Sequence, residues 1–220
     1  MHQLVTLPIL LLLFANSVVW GQNDIGAEST VYQVDADSAD IRVLIYRAGA
    51  LSGLGHNHVI AVGQLEGKIY VSPDPEGSRF ELTIPVQGLV VDDSRLRREE
   101  GDEFSTVPSE GDIVGTRRNM LGKRVLNAEQ YPLIKLAGTG PRDDGSGLML
   151  GLAIELLGRV VELEVPVALQ LEGDSIEASG AFRLSHSELG MRPFTALLGA
   201  LRVADEMDVK YRIRGYTRSR

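Results

Sequence analysis

The sequence predicts an all-β domain, an antiparallel barrel or sandwich, behind an apolar leader. Three observations carry this reading. Apolar residues alternate with period two over several long stretches, the mark of strands with one buried face. Clusters of Pro, Gly, Asp and Ser separate those stretches, as turns require. The chain has no cysteine, so a domain of this length must be held by its core alone, which favours a large closed sheet.

The chain opens with an uncharged apolar run from Leu4 to Trp20. A membrane span needs about 20 apolar residues, and this run is short for one. Polar Gln22, Asn23 and Asp24 follow at once. Residues 1–21 therefore read as a signal peptide with Gln22 as the new N-terminus, although Met1-His2-Gln3 lacks the usual Lys or Arg. An uncleaved anchor is the alternative. Residues 22–29 read as a flexible segment and 30–217 as one domain.

Strands are expected at 30–36, 40–48, 58–71, 133–138 and 148–157. Four faces show the alternation most clearly. Phe80, Leu82, Ile84 and Val86 share one, opposite Glu81, Thr83 and Gln87. Val161, Leu163, Val165, Val167, Leu169 and Leu171 form the second. Ile176, Ala178, Gly180, Phe182 and Leu184 form the third, and Met207, Val209, Tyr211 and Ile213 the fourth. Turns are expected at Ser72–Gly77, Pro141–Gly147 and Glu172–Asp174.

The middle of the chain breaks this pattern. Residues 92–111 are strongly charged, and 92–132 as a whole reads as a charged loop with a helix. Asp112 is expected to cap that helix, with Ile113, Val114, Met120, Leu121, Val125 and Leu126 on one side and Pro132 ending it. Such an excursion either covers an open barrel end or is a plain surface connection.

Composition excludes several functions. The formal charge of −8 argues against nucleic acid, whose phosphates require clustered Lys and Arg. Without cysteine there are no disulfides, thiolate metal sites or Cys nucleophiles. No nucleophile elbow, phosphate-cradling glycine loop or His-Glu-x-x-His helix is present. Ser185-His186-Ser187-Glu188 is no catalytic triad, because neighbours on a strand point apart. The expectation is a protein without enzymatic activity.

Several segments together resemble the YceI-like family. They are Tyr32-Gln33-Val34-Asp35, Gly67-Lys68-Ile69, the stretch Val125–Leu136 with its Tyr131-Pro132 pair, Ala178–Met191, and Val203–Val209. The resemblance spans nearly all of 30–217, and it rests on order and spacing. It implies an eight-stranded antiparallel lipocalin-like barrel, to which 92–132 adds a short helical insertion. It also implies a bacterial, exported protein, periplasmic or secreted, and in some members a polyisoprenoid chain in the lumen. The expected function is therefore an exported binding protein holding an amphiphilic, isoprenoid-type lipid. The expected partner is that lipid or another amphiphilic small molecule, with no transmembrane span in the mature chain and a homodimer left open. Apolar alternation alone does not distinguish a hollow barrel from a filled one.

The sharpest local feature is Gly55-His56-Asn57-His58. Alternate strand residues lie on one face about 7 Å apart, so two imidazoles can converge on one ion. His186 shares parity with the inward-facing Phe182 and Leu184. If it joins the pair, His56, His58 and His186 make a zinc or copper site. Equally, His56, Asn57, His58 and His186 could hold a polar headgroup, or the histidines could simply satisfy backbone carbonyls. Arg117 and Arg118 are candidates for a phosphate headgroup at the barrel mouth, with Arg118 the residue chosen. Solvated arginines balancing Glu99, Glu100 and Glu103 are the alternative. A third reading makes the charged 92–111 segment a surface for a protein partner.

Overall fold

The computed structural model describes residues 29–217, so the leader 1–21 and most of the 22–29 segment lie outside the described residues. Thirteen strand segments form one antiparallel sheet. They are β1 (Thr30–Val34), β2 (Asp40–Ala48), β3 (His58–Val62), β4 (Glu66–Val71), β5 (Arg79–Pro85), β6 (Leu89–Val91), β7 (Leu133–Asp143), β8 (Leu148–Leu156), β9 (Arg159–Pro166), β10 (Ala168–Glu172), β11 (Ser175–Ser185), β12 (Thr195–Ala196) and β13 (Leu201–Thr217). Two helices, α1 (Ser94–Glu99) and α2 (Glu110–Leu121), interrupt them. No described helix is long and apolar enough to cross a membrane.

The expected eight strands are present as eight courses of the chain, four of them cut in two. The register shows this directly. β13 pairs through Tyr216 and Gly215 with β1 and through Met207–Arg212 with β2, so β1 and β2 are two halves of one course. β4 pairs with β1 while β3 pairs with β2, and β5 pairs with β4 while β6 pairs with β3. The breaks are a turn at 36–38, residues 63–65, a short helical turn at Val86–Gly88, and Val167. β12 is a two-residue addition on β13.

From β5 the sheet meanders through β7, β8 and β9. β10 then pairs with β11, and β11 with β13. No ladder among the described residues joins β9 to β11, so hydrogen bonds do not close the ring all the way round. Continuity there is covalent, through Val167. Gly180 makes the seam possible: a Cβ at that position would meet the Pro166 carbonyl at 2.4 Å. The Tyr211 hydroxyl, inside the barrel, donates to the same carbonyl at 2.7 Å.

The alternation reads out as expected. Leu82, Ile84, Val165, Leu184, Met207, Val209 and Ile213 all join one interior cluster. Short hairpins at 72–78, 144–147 and 173–174 lie at one end of the barrel. The long connections 49–57, 92–132 and 186–200 gather at the other end, the mouth.

The 92–132 segment differs from expectation in its details. Its first part folds into α1 and the turn Asp102–Phe104, which pack on the outer face of the wall. Leu96 and Phe104 bury there with the outward-facing Leu44, Val59 and Ala61 in a second, smaller core. The charges dock the same segment. Outward-facing Arg42 pairs with Glu99 at 2.6 Å and Glu100 at 3.0 Å, and Lys210 pairs with Glu100 at 2.5 Å. α2 is capped by Ser109, not Asp112. Asp112 is its third residue and closes a reciprocal capping box with Ser109. The helix ends at Leu121, where Gly122 turns extended, well before Pro132. Val114 projects into solvent, while Ile113, Met120 and Leu121 pack on the core.

Candidate functional site

The barrel is hollow. A cavity of about 350 Å³ occupies its mouth-side half, and a second of about 460 Å³ occupies the hairpin-side half. Phe80, Leu82, Leu150, Tyr211 and Ile213 border both, so the two are chambers of one lumen. Inward residues of the sheet supply nearly all the lining. In the mouth chamber the polar lining is His58, His186, Thr116 and Asn119, with the Tyr211 hydroxyl already committed to the wall. Thr116, Asn119 and Met120 come from α2, so the helix covers the open end. It is pinned there by Arg117, which donates to the Gln87 carbonyl at 2.6 Å and to the Leu89 carbonyl.

His58 begins β3 and faces the lumen wall. Its Nδ1 donates to Asp92 Oδ2 at 2.7 Å, which leaves Nε2 with its lone pair in the neutral ring. Asp92 follows β6 in left-handed backbone (φ +56°), a conformation that Asp tolerates better than most residues. That twist lets its amide donate to the Val59 carbonyl while its carboxylate turns back on the same strand. Oδ1 accepts from Val59 N at 2.9 Å and from Arg97 Nη1 at 2.5 Å. Asp92 and Arg97 are each only 3% exposed, a buried ion pair. Burial pushes the Asp92 carboxyl up, but its hydrogen bonds to His58, Val59 and Arg97 outweigh that and hold it below the usual carboxylate range.

Arg97 does more than neutralise Asp92. It donates to the Asn57 carbonyl at 2.7 Å and the Thr106 carbonyl at 2.6 Å, clamping three segments together. Asn57 is consumed by the same clasp. Its Oδ1 accepts from Arg47 N at 3.0 Å and its Nδ2 donates to the Glu103 carbonyl at 3.1 Å. Asn57 therefore has its polar atoms turned to the protein and shapes the histidine loop.

His56 lies beside His58, ring centroids 4.6 Å apart and edge to face. Its Nε2 is buried and has no hydrogen-bond partner. Burial, then the neighbouring His58, lowers its pKa below the ordinary histidine value. Ligand atoms of His56, His58 and Asp92 all lie within 4.8 Å of one another.

His186 faces inward as its parity predicts, and is buried in the lining of the mouth chamber. It does not join the His56–His58 cluster, whose third member is Asp92. Its Nδ1 donates to the Asp205 carbonyl at 2.9 Å. Ser185 and Glu188 bond to each other in the turn that follows β11, away from that ring's partner. Arg118 is exposed on α2 and is absent from the cavity lining, which α2 supplies through Thr116, Asn119 and Met120 instead. Sequence reasoning missed Asp92 and Arg97. Asp92-Asp93 reads as one charged pair, yet Asp93 is the N-cap of α1 and Asp92 is buried. Only the αL turn between them separates the roles.

No protein-family model and no curated protein matches the chain. Solved structures do. Burkholderia cenocepacia BcnA superposes with a TM-score of 0.59 at 13% identity, over 82% of this chain and 98% of its own. A polyisoprenoid-binding domain from Saccharophagus degradans, described as implicated in plant cell wall breakdown, gives 0.56 at 10% identity, over 86% and 99%. A mutant of a Campylobacter jejuni YceI protein gives 0.51 at 8% identity, over 73% and 85%. The antiparallel sheet and its eight courses are thus those of an all-β, lipocalin-like barrel, and the chain has the YceI-like fold.

Proposed function

We propose that this chain is an exported, non-enzymatic binding protein that holds one amphiphilic, isoprenoid-type chain in its lumen. The observation that carries the reading is the two-chamber apolar lumen under α2, with its few polar groups at the ends. Ligand pockets span about 300–1,000 Å³, and the chambers fit that range. Each buried methylene contributes ~0.8 kcal/mol, so about ten carbons supply roughly 8 kcal/mol before association costs. His58, His186, Thr116 and Asn119 would meet the headgroup under the helix. A fold-mate named as polyisoprenoid-binding supports the choice of lipid class. The apolar run at 1–21 supports a periplasmic or secreted location.

The test is native mass spectrometry of the protein as purified, followed by organic extraction and titration with a prenyl alcohol. One lipid per chain, or saturable binding of farnesol with one site, is the expected result. A bare mass together with no saturable binding of any long-chain amphiphile overturns the proposal.

A further inference from the structure

We propose that His56, His58 and Asp92 form a site for a divalent transition-metal ion on the barrel rim beside the lumen. The proposal stands independently of the lipid. Three observations carry it. First, the donors come from two distant segments, the start of β3 and the end of β6, yet their ligand atoms lie within 4.8 Å of one another. Ligands bound at about 2.0–2.2 Å to one tetrahedral ion lie about 3.3–3.6 Å apart, so side-chain movements of about an ångström bring these donors onto one ion.

Second, His56 Nε2 is buried without any partner in the protein. A buried polar atom left without a partner destabilises the fold. Its ring meets the His58 ring edge to face. A cation accepting its lone pair accounts for the placement.

Third, the carboxylate is fixed before any ion arrives. Val59 N and Arg97 hold Asp92 Oδ1, which leaves Oδ2 facing His58. On binding, the ion takes the place of the hydrogen bond between His58 and Asp92: the proton leaves Nδ1 for solvent, Nε2 takes one up, and the neutral ring offers its Nδ1 lone pair to the ion. Two imidazoles and one carboxylate suit zinc and its first-row neighbours better than calcium or magnesium, which take oxygen ligands. Arg97 offsets the Asp92 charge, so the site is weaker than one with an unpaired carboxylate. His186 has no place in it.

The experiment uses tag-free protein, stripped with chelator, assayed both as purified and after delipidation. Zinc alone is titrated by calorimetry and counted by elemental analysis after dialysis. One zinc per chain is expected, together with a rise in the melting temperature. His56→Ala should weaken binding by tenfold or more and abolish that rise, without loss of folding, because His56 holds no hydrogen bond. His186→Ala should bind zinc as the wild type does. Absence of stoichiometric zinc in the wild type overturns the proposal. So does undiminished binding in His56→Ala, or binding that falls with His186 instead.

Discussion

A tryptophan at Val43 tests whether the lumen is the binding site. Val43 sits midway along β2, opposite Val209 of β13 and Ile60 of β3, and lines the mouth chamber of about 350 Å³. Tryptophan carries about seven more side-chain heavy atoms than valine, and a ligand must give up a similar number of methylenes at ~0.8 kcal/mol each. The full loss would be ~5–6 kcal/mol. A chain that slides toward the hairpin-side chamber recovers part of it, which leaves a loss of about 3 kcal/mol, or a Kd weaker by at least roughly a hundredfold. The added ring fills existing space, so the melting temperature should hold or rise. The assay is farnesol competition against a fluorescent fatty-chain probe, with a thermal melt on the same sample. Binding within threefold of wild type in a cooperatively folded Val43→Trp protein would refute lumenal binding. Loss of the cooperative fold would refute the cavity itself, since only a filled core is overpacked by such a change.

Two further outcomes follow from the site and the wall. Arg97→Ala removes the partner of buried Asp92 and the clamp on Asn57 and Thr106; urea unfolding should show a loss of about 3–5 kcal/mol, as for other broken buried pairs. Asp208 is held below the usual carboxylate range, first by the Arg183 guanidinium and also by the Tyr46 hydroxyl, against the opposing effect of burial. Its folded pKa lies below its unfolded one, so its stabilisation is fully present above the unfolded value, about pH 4, and disappears as pH falls through the folded value. The stability gap between wild type and Asp208→Asn should therefore be constant from neutral pH to about pH 5 and shrink below about pH 4; a gap unchanged at pH 2 would contradict this.

Residue by residue, the legible part was whatever local physics dictates. Period-two alternation correctly placed Leu82, Ile84, Leu184, Met207 and Ile213 inside, and aimed His186 there as well. Pro and Gly clusters marked the hairpins. The helix was visible, but its start was not, because Ser109 and Asp112 are both good capping residues and only their reciprocal bonds show which is which. The inserted segment looked like solvated charge because Glu99 and Glu100 carry no sign in the sequence that Arg42, from another strand, awaits them.

The amino-acid sequence by itself determined the all-β class, the strand faces, the presence of a helix in the 92–132 segment and the pair His56–His58. Those depend on neighbours within a few residues along the chain. Only the tertiary structure decided that the barrel is hollow, that Asp92 and not His186 completes the histidine cluster, and that Asn57 and Arg97 are structural clamps. Parity tells which side of a strand a residue faces, but not how far away the opposite wall stands. The curvature of the ring sets that distance, while the antiparallel pairing of β3 with β6 brings the start of β3 beside the end of β6 and leaves the end of β11 apart.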